Sequence, residues 1–145
     1  MEITIQKLVV LILVSSFLVW VLTTPWRRKK RDKVHWENWN KAVELLKREY
    51  GCRMFRIIDI RQQASTGTKA HVVFEDTSEE DAVWIPDFWP AKGEYIVSKG
   101  DYGHGSHHDE NVYYVKQVLL HLHKDTYMGW NRHEKRLRKV GAQVS

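Results

Sequence analysis

The residues best equipped for chemistry lie in the run Tyr102-Gly103-His104-Gly105-Ser106-His107-His108-Asp109-Glu110. His104 to Glu110 puts three imidazoles and two carboxylates within seven residues of glycine-loosened chain. These are the side chains that hold zinc and related divalent ions, and glycine lets a loop wrap one. His121 and His123 stand one residue apart, so on a strand they would share a face and could complete a site for one divalent metal ion. A metal-binding domain or metal-dependent hydrolase built on His104, His107, His108 and Asp109 is therefore one expected function. The spacing matches no established signature such as H-E-x-x-H or paired C-x-x-C, and a solvated polar turn has the same composition. Protonation near about pH 6 would make these histidines repel, so a pH-sensitive loop is a further reading of the same residues.

A second chemistry is aromatic. Asp87-Phe88-Trp89-Pro90 sets two large rings between Pro86 and Pro90. Phe88 and Trp89 there form either a binding surface or a plug under a sheet, since aromatic side chains dominate interface hot spots and small cores alike. Covalent catalysis has less support. Cys52, the only cysteine, excludes an intramolecular disulfide and lies in no nucleophile motif. A Gly-rich phosphate loop, a G-x-S-x-G elbow and a dinucleotide fingerprint are all missing from the sequence. Asp59, Glu75, Asp76 and Asp87 could meet as acid/base carboxylates, but spacing alone pairs none of them.

The elements that must position these residues begin with Leu8–Leu22, an uncharged apolar run followed by Trp26-Arg27-Arg28-Lys29-Lys30-Arg31. Crossing a hydrocarbon core takes roughly 20 helical residues, and extending back to Ile3 supplies them. A cleavable signal peptide would carry its cations before the apolar run and a small-x-small site after it, the reverse of what stands here. A buried core helix would need more covering chain than this sequence offers. Arg27–Lys33 holds six cations against Asp32, and such flanks stay cytoplasmic, so the N-terminus is expected outside and the remainder inside. Arg27, Arg28, Lys29, Lys30 and Arg31 are expected to meet lipid headgroups.

The expected organisation is an anchor over 1–25, a basic linker over 26–33 and one small domain over 34–145. The net charge of +5 comes from the linker, because residues 34–145 hold 16 cations and 16 anions. That balance argues against general nucleic-acid binding. Val34–Tyr50 reads as an amphipathic helix stopped by Gly51, with Trp36, Trp39, Val43, Leu46 and Tyr50 on one face. Trp36, Trp39, Val43 and Leu46 could form a dimer seam or pack on the domain's own sheet.

Arg53–Arg61 and Lys69–Glu75 predict an antiparallel hairpin, and Ala82–Ile85, Glu94–Ser98 and Val112–Val115 predict further strands. Val118–His123 suits helix or strand, and Asn131–Val140 predicts a short basic helix. The expected class is α+β: a transmembrane helix, then an antiparallel, possibly barrel-like sheet with flanking helices. The expected function is a non-enzymatic interaction or scaffolding module held at the bilayer, acting on another membrane protein or on a second copy of itself. The metal-dependent reading is its alternative.

Overall fold

The computed structural model describes residues 4–103 and 111–144, the side chains of 142–144 excepted. One helix, α1, runs unbroken over Ile5–Arg48. It joins the apolar run, the basic segment 26–33 and the amphipathic segment into one rod, with no break at either expected boundary. Pro25 lies inside it and cannot donate to the carbonyl of Val21. On the carbonyls just before it, side chains add donors: the Thr23 hydroxyl reaches that of Val19, and Thr24 and Arg27 both reach that of Trp20. The first half of α1 is long and apolar enough to cross a membrane, and none of its most apolar 18-residue stretch is buried in the protein.

Gly51, at φ +80, turns the chain out of the helix. α1 ends at Arg48, short of the expected Tyr50, and the side chain of Tyr50 stands in solvent at 99% exposure instead of continuing the apolar face. Five strands follow: β1 (Cys52–Ala64), β2 (Gly67–Phe74), β3 (Glu80–Pro86), β4 (Tyr95–Tyr102) and β5 (Val112–Leu122). They close into a barrel in the order β1-β2-β3-β5-β4. A second helix, α2, spans Thr126–Val144. The α+β class with a barrel-like sheet is what the structure contains.

The hairpin β1–β2 turns through Ser65 and Thr66, with Ala64 opposite Gly67. Gly67 is required because a Cβ there would lie 2.3 Å from the Ile85 carbonyl oxygen on β3. β1 is long enough to serve two neighbours. Cys52–Arg56 pairs with β4 and Phe55–Ala64 with β2, and register shifts after Ile57 and Ile60 bend it round the barrel. The sheet is not wholly antiparallel as expected. β3 and β5 run parallel, Ala82 opposite Val112, because β4 intervenes in sequence and carries the chain back before β5 begins. The ambiguous Val118–His123 is strand to Leu122: the β4 edge offers it a full ladder of partners.

Alternation along the strands divides the core in two. Phe55, Ile57, Val72, Phe74, Ile85 and Ile96 fill the barrel. Tyr95 and Val97, flanking Ile96 on β4, face outward and meet Trp39, Ala42, Met54 and Leu122 in a second cluster beneath the helices. α2 then doubles back along α1. Trp130 lies against Trp39 and Asn40, Glu134 against Trp36, and Arg136 against Asp32.

Candidate functional site

The junction of the two helices is built around a carboxylate in the basic segment. Asp32 is 1% exposed. Arg132 donates to both of its oxygens at 2.9–3.2 Å, and Arg136 adds a bond of 2.8 Å to Oδ2. Burial alone would raise its pKa, but the two guanidiniums outweigh burial and hold the carboxyl below the usual range. One turn further along α1, His35 stacks on His123 at 6.0 Å between ring centres. Its Nδ1 is buried with no hydrogen-bond partner among the described residues. Burial and the neighbouring His123 push its pKa down. α2 approaches closely here because residue 129 is glycine: a Cβ there would lie 2.6 Å from the His35 side chain.

The four residues expected as a partner face are engaged within the chain. Trp36 donates to Glu134 at 2.8 Å and lies against the His133 ring. Trp39 is 8% exposed and sits edge-on to Tyr95 and Tyr127. Val43 and Leu46 pack on the cluster beneath the helices.

The two rings of the aromatic loop are placed differently. Phe88 packs against the barrel core, where its backbone oxygen accepts from the buried Thr68 hydroxyl at 2.8 Å. Trp89 is turned out at 52% exposure, with its indole N–H bonded to the Ala64 carbonyl at 2.8 Å. The ring is thus displayed in a fixed pose beside the β1–β2 turn.

His104, His107, His108 and Asp109 lie outside the described residues. His121 and His123 serve different neighbours: His121 pairs with Glu94 and meets the edge of Phe88, whereas His123 lies 3.6 Å from Asp125 and against His35. Among the described residues no cluster of three His, Cys, Asp or Glu side chains could hold a metal ion. Cys52 is half-buried, and burial pushes its thiol up, away from the reactive thiolate.

Among the cations of the basic segment 26–33, Arg27 folds back on Thr23 and Trp20, and Lys30 lies over the Trp26 ring at 5.4 Å. Arg28 and Lys29 project into a groove that they share with Trp20, Val21, Pro25 and Arg136.

Sequence reasoning missed two constellations. The first is the Asp32 clamp, whose only signal was one acid in a run of cations. The second is Arg53, which stacks 3.7 Å above the Phe74 ring while donating to both oxygens of Asp76 at 3.0 Å. Tyr102 sits beside it and donates to Asp81. No family model matches the chain, and no curated protein matches it in sequence.

Proposed function

We propose that this chain is a single-pass membrane protein whose barrel domain is a cytoplasmic, non-enzymatic docking module for another membrane protein. The observation that carries this reading is the continuity of α1. The segment able to cross a bilayer and the segment that covers the barrel are one helix, so the domain is held close to the membrane at a set height. The six cations against one acid in Arg27–Lys33 support an N-terminus outside and a domain inside.

Trp89 supports a specific contact surface. An exposed indole fixed by its own hydrogen bond has already lost its rotamer freedom, which lowers the entropy cost of burying it under a partner. Fold alone would allow another reading, because five-stranded barrels of the oligonucleotide/oligosaccharide-binding type bind nucleic acids. Charge opposes it here. Residues 52–122 carry seven Lys and Arg against eleven Asp and Glu, which would repel phosphate.

The test is cross-linking in native membranes from a photoreactive residue at position 89, with position 50 as the exposed control. Discrete products with a membrane protein from position 89, absent from position 50, bear the proposal out. Identical products from both positions, or a C-terminus shown by topology mapping to lie outside, would overturn it.

A further inference from the structure

α2 runs antiparallel to α1, so its basic end points toward the apolar half of α1. The pairings descend in step: Trp130 with Asn40, Glu134 with Trp36, Arg136 with Asp32. Arg136 then borders the groove containing Trp20, Val21, Pro25, Arg28 and Lys29. Beyond Arg136 the helix continues for eight residues to Val144, a rise of about 12 Å. That end of α2 points toward the exit end of the apolar run, where an indole such as Trp20 would favour a headgroup zone. Leu137 and Val140 are exposed on this stretch, among Arg138 and Lys139.

The groove has two chemistries at two heights. Trp20 and Val21 are apolar and continue the exposed apolar row of α1. Arg28, Lys29 and Arg136 stand above them as three cations. Arg136 gives Asp32 a single nitrogen, Nη1, and a guanidinium carries five N–H donors, so it has further donors to offer. Asp32 does not cancel the site, since one carboxylate faces two guanidiniums. The whole molecule is polarised the same way. The segment 126–144 holds five bases against Glu134 and the barrel is acidic, so a negative surface attracts the helical side and repels the other.

We propose that this groove between α1 and α2 binds a glycerophospholipid with an anionic headgroup. Arg28, Lys29 and Arg136 meet the phosphate-bearing head, and Trp20 and Val21 lie along the acyl chains. The proposal rests on the reading that α1 spans a bilayer. It adds that the membrane contact is a composite of both helices and selects lipid by charge.

The experiment places the full chain in nanodiscs of mixed phosphatidylcholine and phosphatidylglycerol and measures by native mass spectrometry which lipid stays bound. Phosphatidylglycerol is expected to be retained selectively. Arg28→Ala with Lys29→Ala should weaken its retention by about 30-fold, two surface cations' worth. Both residues are exposed, so the variant retains its fold. Lys41→Ala with Lys47→Ala removes the same charge from α1 away from the groove and should retain the lipid. Equal retention of the two lipids, or equal loss from the control pair, would overturn the site. Release of the protein from membranes by an alkaline carbonate wash is a separate readout, and it would overturn the anchor and the site together.

Discussion

Arg132 and Asp32 stand one hundred positions apart in sequence and form a two-oxygen ion pair at 2.9–3.2 Å across the helix junction. The acid is fully enclosed while the Arg132 side chain remains 44% exposed, so the bond holds α2 to α1 from the solvent side. Removing the acid does not strand a buried charge, because the arginines can still reach water. Asp32→Ala should therefore cost an intermediate amount, about 1–3 kcal/mol. Urea unfolding of the detergent-solubilised chain measures this, and limited proteolysis should show α2 released first. An unchanged midpoint with α2 still protected would dismiss the clamp.

Acid should act through the same group. The folded-state pKa of Asp32 lies below the unfolded value of 3.8. Its contribution is therefore present above that value and is lost as pH falls through the lower, folded-state value. Melting curves of wild type and Asp32→Asn should converge below about pH 4 and separate above it.

His35 titrates with the same sign in a different window. Its folded-state pKa is depressed from 6.5 by burial and by His123. Its contribution to stability is full above pH 6.5 and is lost as pH falls from there through the folded-state value. Replacing His35 with Gln should flatten the pH dependence of the melting temperature in this window. A wild-type profile already flat between about pH 5 and 7 would rule the effect out.

Gly129 should resist the substitution that helix propensity recommends. Alanine is the better helix former by about 1 kcal/mol. Its methyl, however, would lie 2.6 Å from the Cβ of His35, on a residue fixed in α1. Gly129→Ala should destabilise by about 1–3 kcal/mol through overpacking. Thermal melting would reveal a gain in stability if the helices have room to separate.

Trp89 and Trp39 should separate function from folding. Trp39→Ala opens a hole between barrel and helices and should cost about 3–5 kcal/mol. Trp89→Ala removes a half-exposed ring with one hydrogen bond, and should cost about 1 kcal/mol while abolishing partner capture. Capture that survives Trp89→Ala with the fold intact would move the docking surface elsewhere.

The strands and the long apolar helix were legible in the sequence for a physical reason. β-branched and aromatic runs and an uncharged apolar segment are local signals, each readable inside a window of ten to twenty residues. Closure of the barrel was not local: β3 meets β5 some thirty residues away in sequence, and no residue in either strand announces a parallel partner. The unbroken α1 was hidden by its composition. Pro25 and the basic run read as a boundary, and only α2, supplying Arg132 and Arg136 to Asp32, makes 26–33 part of the folded domain. The face of Trp36, Trp39, Val43 and Leu46 was legible as a face, but its cover was not, since Tyr127 and Trp130 lie in the stretch before the expected basic helix.

Under the proposed membrane reading, the continuity of α1 also makes it a lever. With no hinge between the apolar stretch and the barrel, the angle at which such a helix would cross a bilayer is the angle at which the domain would be held. From Leu22 to Arg48 the arm is about 39 Å, so a change in tilt of about 10° swings the barrel sideways by about 7 Å. A thicker bilayer stands such a helix more upright and a thinner one lays it over. Bilayer thickness would thereby set where the Trp89 face is offered, and neighbours of different reach would meet it in different membranes.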